Sequence, residues 1–160
     1  MNGSMAWFQA QGVYRRLVGW LEAAQPLALL AARVYVARVF FLSGLTKLRD
    51  WEITVALFTD EYHVPLLPPE LAAYAGTAGE LVLPVLLVLG LGGRFAAAGL
   101  FVVNAVAVVS LPEIGEAALQ QHQFWGSLLA GLVLWGPGRW SFDGWLAARR
   151  RGLSPPAGTR

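Results

Sequence analysis

Apolar residues in this chain come as long runs, and four stand out: Leu27 to Leu48, Leu71 to Gly93, Phe95 to Pro112 and Ala117 to Gly138. About 20 residues at ~1.5 Å each match the ~30 Å hydrocarbon layer of a bilayer. Only a helix or a closed barrel satisfies its own backbone there. The runs therefore predict four transmembrane helices. The formal charges within them are Arg33, Arg38 and Lys47 in the first and Glu80 in the second. Pro26 suits the first turn of the first run, where its missing N–H costs little. The expected fold class is all-α, an integral-membrane four-helix bundle over residues 26–146.

The flanks carry a different pattern. Trp7, Phe8, Val13, Tyr14, Leu17, Val18 and Leu21 recur at roughly helical spacing, which predicts an amphipathic interfacial helix within residues 1–25. Met1 to Glu22 lacks the apolar core of a cleavable signal, so none is expected. Trp140, Phe142, Trp145 and Leu146, followed by Arg149 to Arg151, predict a second interfacial helix at the C-terminus. The basic tail over 147–160 is expected to be disordered at its end. Between the first two runs, Trp51, Val55 and Phe58 predict a short helix on the outer interface, and Pro65, Pro68 and Pro69 turn the chain back. His63 falls in that loop, at the surface.

Composition narrows the class. The chain is 56% hydrophobic and 14% charged, with a mean hydropathy of +0.53, which excludes an ordinary soluble domain. It also excludes a nucleic-acid partner, despite a pI near 9.4. With no cysteine, thiol redox chemistry, iron–sulfur clusters and thiolate zinc sites are excluded together. Two histidines at distant positions argue against a bis-histidine haem, and no metal site is expected. Arg15, Arg16, Arg94, Arg139, Arg149, Arg150, Arg151 and Arg160 fall on one side of the predicted spans. Arg49 shares the other with Asp50, Glu52, Asp60, Glu61, Glu113 and Glu116. The positive-inside rule then places both termini in the cytoplasm, with the bundle in a bacterial-type plasma (inner) membrane.

Charges inside the spans cost ~3 kcal/mol each on the gentlest scale, so Arg33, Arg38 and Glu80 need a reason. The pattern predicts an intramembrane ion pair between Glu80 and one of the two arginines; a contact that only fixes helix order is the alternative. Arg33 and Lys47 share one inward stripe of the first helix. Arg38 lies about 140° around from Arg33, bordering the same interior or a neighbouring subunit. Asn104, mid-way along the third run, reads as a helix–helix hydrogen bond rather than a ligand. His122, among Gln120, Gln121 and Gln123, is either a proton-transfer group or a solvated interfacial histidine.

These residues carry a resemblance. The run Arg33, Ala37, Phe41, Gly44, Lys47, Leu48, then Gly79-Glu80, the Gly90-Leu91 turn and Arg94, resembles the DoxX-like family of small four-helix membrane proteins. His122-Gln123-Phe124-Trp125-Gly126 and the closing Gly136-Pro137-Gly138-Arg139-Trp140-Ser141-Phe142-Asp143 resemble that family's fourth helix and final motif. Ala37 stands where the family commonly has glycine, and Pro84 where it often has a small residue. The resemblance implies a membrane component of a redox system, similar to the small subunit of thiosulfate:quinone oxidoreductase. It adds no intrinsic cofactor, but implies a bound quinone and a catalytic redox partner that brings the electrons. On this reading Arg33, Lys47, Arg38 and Asn104 bind the quinone while Glu80 and His122 move protons, with Lys47 and His122 converging near the outer leaflet. A scaffold or assembly factor, and a small proton-coupled transporter, are the alternatives; a homo-oligomer suits several of these readings.

Overall fold

In the computed structural model the chain is described over residues 2–153, with side chains over 11–150. Six helices follow one another: α1 (Asn2–Arg49), α2 (Trp51–Asp60), α3 (Pro69–Leu89), α4 (Gly93–Ser110), α5 (Glu116–Trp135) and α6 (Phe142–Leu153). The second half of α1 packs against α3, α3 against α4, and α4 against α5, which returns to α1. This is the expected all-α bundle. Its core joins Val36, Phe40, Leu87, Leu100, Leu129 and Leu132 around the small Ala96 and Ala97, where backbones approach closely. Val82, Val102 and Leu134 stay exposed on the flanks, as they do when the surrounding solvent is lipid.

Three helices, α1 over Gln11–Arg49, α3 and α4, are long and apolar enough to cross a membrane. The fourth expected run forms α5, of 20 residues, which is less apolar than these three. Its first half carries Gln120, Gln121, His122 and Gln123, and that polar stretch dilutes an otherwise adequate length. A second difference concerns Pro26. No break marks the boundary between residues 25 and 26, because α1 continues through the proline, and residues 11–25 are its largely exposed first half. Trp7 and Phe8 lie outside the residues whose side chains are described. At the other end α6 extends through residues 147–153, and Ser154 to Arg160 lie outside the described residues.

The short helix expected after the first span is α2. Asp50 caps it by accepting from the Ile53 amide at 3.0 Å. Its Phe58 is buried against Ala72 and Ala73, so α2 lies across the first turns of α3.

At the opposite, α6 end, one side chain ties α1 to the end of α3 and to the approach to α6. Arg33 has no exposed surface. Its guanidinium donates to the Val88 carbonyl at 3.3 Å and to the Trp140 carbonyl. Val88 belongs to the last turn of α3, where carbonyls lack helical partners and the helix dipole is negative. Asp143 completes the joint: its carboxylate accepts from the Gly92 and Gly93 amides at 3.1 and 2.8 Å, capping α4 from 50 residues away. The Asp143 amide in turn donates to the Gly90 carbonyl at 3.0 Å. The closing sequence motif is therefore a clasp between the α3–α4 turn and the entry to α6.

Gly90 makes the clasp possible. It ends α3 at a φ of 68°, and a Cβ there would run into the Ser141 side chain and come within 2.8 Å of Arg33 Nη1. Gly90→Ala should cost about 2–3 kcal/mol, combining left-handed strain with overpacking. Gly19→Ala, at a helical position with nothing within 4 Å, should be neutral or slightly stabilising. Thermal melting of both variants in detergent checks the contrast.

Candidate functional site

Close approach of α1 to α3 creates the main polar site. A Cβ on Gly44 would sit 2.9 Å from Leu81 Cδ2 and 3.1 Å from Glu80 Cβ, so the absent side chain lets the helices meet. One turn on, Lys47 Nζ donates to Glu80 Oε2 at 2.6 Å and to Ser43 Oγ at 3.1 Å. The two side chains of this ion pair are 19% and 10% exposed.

The expected arginine–Glu80 pair is thus corrected to Lys47–Glu80. Side chains lean toward the N-terminus of their own helix. In antiparallel helices, Lys47 leans toward the α6 end and Glu80 toward the α2 end, and the two meet. Arg33 and Arg38 lean away from Glu80. Arg33 is spent on the clasp, while Arg38 is exposed beside the exposed Val34 and Tyr35; it does not border the bundle interior.

A roof closes over the pair. Thr54 Oγ1 of α2 lies 2.8 Å from the Lys47 carbonyl and 2.9 Å from that of Asp50, fastening α2 to the end of α1. Phe58 and Tyr62 stack with ring centroids 4.9 Å apart. Beyond them, the His63 amide donates to the Ser110 carbonyl at 2.9 Å, pinning the loop to α4; the His63 side chain is exposed. Burial, together with the Glu80 and Glu61 carboxylates, raises the Tyr62 phenol above its ordinary value. Tyr62 was not among the expected site residues. Its only sequence signal is an aromatic between Glu61 and His63, just ahead of the prolines.

A second polar pair lies between α4 and α5. His122 Nδ1 and Asn104 Oδ1 are 2.8 Å apart, and Asn104 Nδ2 donates to the His122 carbonyl at 2.9 Å. Asn104 therefore makes the helix–helix hydrogen bond expected of it. His122 also meets the Trp125 ring edge-on at 5.0 Å, and Trp125 in turn meets Phe40 at 6.0 Å. Lys47 and His122 thus make separate polar contacts, Lys47 with Ser43 and Glu80 and His122 with Asn104 and Trp125.

Concavity occurs elsewhere. A groove of about 440 Å³ is lined by Leu48, Trp51, Tyr74, Thr77, Ala78 and Leu81. Leu48 and Leu81 directly follow Lys47 and Glu80 in sequence. The Trp51 and Tyr74 rings lie 4.5 Å apart, and Thr77 Oγ1 is buried without a hydrogen-bond partner. A second, larger basin opens at the α6 end.

The fold and the buried Lys47–Glu80 pair define a helical integral membrane protein with a polar site inside its bundle. The family described as DoxX matches residues 28–112, from the second half of α1 to the end of α4. The chain belongs to that family. The match includes Arg33, Lys47, Glu80 and Asn104, and ends before His122 and the closing motif. No curated protein and no solved structure matches the chain.

Two outcomes follow from this geometry. Glu80→Gln should leave Lys47 uncompensated and destabilise by about 3 kcal/mol, while Lys47→Met/Glu80→Gln should recover part of the loss through a coupling of about 2 kcal/mol. Arg33→Gln and Glu80→Gln, at separate sites, should be additive in detergent melting. For Tyr62 the raised phenol pKa means that the folded state keeps a proton the unfolded state has released. Stability should therefore fall as pH rises above about 10 toward the folded value. Tyr62→Phe should remove that part of the fall, read from melting curves between about pH 9 and 11.

Proposed function

We propose that this protein is a membrane-embedded subunit or partner of a quinone-linked oxidoreductase system, providing an intramembrane proton-handling site while a catalytic partner provides the electrons. The observation that carries the reading is the Lys47–Glu80 pair, 2.6 Å apart under the α2 roof. A carboxylate kept inside a bundle at this cost, yet reached by a single lysine, is suited to taking up and releasing a proton. Lys47 balances its charge when the proton leaves.

The groove beside the pair fits a flat, lipid-soluble ring. Its volume, about 440 Å³, lies in the range of small-molecule sites. Trp51 and Tyr74 offer aromatic faces, and the unpartnered Thr77 hydroxyl offers the hydrogen bond a ring oxygen accepts. A quinone, when bound, supplies two-electron, two-proton carrier chemistry. Thr77 would orient it, and Glu80, on the same stretch of α3, would hold the proton. We place the protein in a bacterial-type plasma membrane with both termini cytoplasmic, on the distribution of its basic residues. Exposed Arg38 is then available to the redox partner or to a second copy of the chain.

A scaffold role is the second reading, favoured by the use of Arg33, Asn104 and Asp143 in contacts between elements of the bundle. Solvent extraction of the full-length protein, purified from quinone-containing membranes, separates the two. Under the redox reading the wild type retains quinone, Thr77→Val lowers the retained amount severalfold at unchanged abundance, and Glu80→Gln lowers it severalfold per mole of folded protein recovered. A wild type that carries none leaves the scaffold reading standing.

A further inference from the structure

The basin at the α6 end encloses about 1340 Å³ between the projecting half of α1, the start of α4 and α6. Arg94 and Arg139 line it together with Trp135, Trp140 and Trp145. The one carboxylate there, Asp143, is committed to the Gly92 and Gly93 amides. Arg94 donates to the Leu134 carbonyl at 3.3 Å, which leaves other guanidinium N–H groups to spare. Arg139 has no ion-pair or hydrogen-bond partner among the described residues. At the rim, Arg149 stacks over the Trp145 ring at 4.1 Å. The basin is thus cationic and lacks a counter-ion of its own.

Its rim is apolar on one side. Phe95 and Trp135 are 71% and 73% exposed, and Leu134, 69% exposed, continues the line along α5. A free phosphate would use the arginines and leave this strip bare. A phospholipid uses both, the headgroup between the guanidinium groups and the acyl chains along the α4–α5 flank.

We propose that this basin binds the headgroup of one anionic phospholipid, held by Arg94 and Arg139 and collared by the surrounding tryptophans. The lipid supplies the charge that Asp143 cannot, and it fills the space between α1 and α6. The site lies at the end of the bundle opposite the Lys47–Glu80 pair and does not depend on what that pair does.

Native mass spectrometry of the full-length protein in detergent tests this, with phosphatidylglycerol, phosphatidylcholine of the same chains, and glycerol 3-phosphate as probes. Phosphatidylglycerol should bind at least tenfold more tightly than phosphatidylcholine, and glycerol 3-phosphate should not displace it. Arg139→Gln removes a side chain without partners and should weaken phosphatidylglycerol about fivefold; Arg94→Gln/Arg139→Gln should weaken it about 30-fold. Arg15→Gln/Arg16→Gln removes the same charge from the exposed part of α1 and should leave affinity unchanged. Equal binding of the two lipids, or equal losses in the basin and α1 variants, overturns the site. Displacement by glycerol 3-phosphate overturns the lipid assignment. Arg139→Gln keeps the test decisive should loss of the Arg94 contact impair folding.

Discussion

A guanidinium with no access to solvent must be met by carbonyls, and at Arg33 that requirement organises the bundle. Its two acceptors, Val88 and Trp140, come from the end of α3 and the approach to α6. Asp143, three residues past Trp140, then satisfies the first amides of α4. Breaking any part leaves a buried charge or a helix end unpaired, a penalty larger than the net worth of a typical hydrogen bond. The joint also sets the register of α1 against α3. From Arg33 to Lys47 α1 climbs about 21 Å, while from Val88 back to Glu80 α3 climbs about 12 Å. The difference is what a long lysine reaching down and a glutamate reaching up can span.

Polarity is thereby divided between two ends with different tasks. At the α6 end Arg33 and Asp143 close on backbone, while Arg94 and Arg139 face the open basin. At the α2 end the polar groups close on each other, beneath a short helix held by Thr54 and Phe58. The Asn104–His122 pair, between α4 and α5, resembles the first kind: both of its hydrogen bonds run between helices. Lys47 and Glu80 instead pair two side chains of opposite charge, and they lie next to the groove lined by Trp51, Tyr74 and Thr77.

Much of this architecture was legible in the order of residues. Long apolar runs announce helices, Asp50 and the Trp51, Val55, Phe58 spacing announce α2, and the isolated amide of Asn104 announces a cross-helix bond. The partner of Glu80 was not legible, because a list of charges carries no side-chain direction and no helix register. Depth alone matches Arg38 to Glu80 and the helical stripe turns Arg33 inward, and neither includes the lean of each side chain. The continuity of α1 was hidden by Pro26, whose sequence signal is the same for a helix start as for an interior position the chain tolerates. Tyr62 and Thr77 were hidden for another reason: what sets them apart, proximity to Glu80 and a hydroxyl without a partner, exists only once α2 folds over α3.

One helix carries both ends of this arrangement. Arg33 and Lys47 project from α1 about 21 Å apart, and the helix runs on unbroken through Pro26 into its exposed half. The relative orientation of Arg33 and Lys47 is therefore fixed by the residue count of one helix: deleting a single residue between them would turn Lys47 by about 100° off the face that meets Glu80.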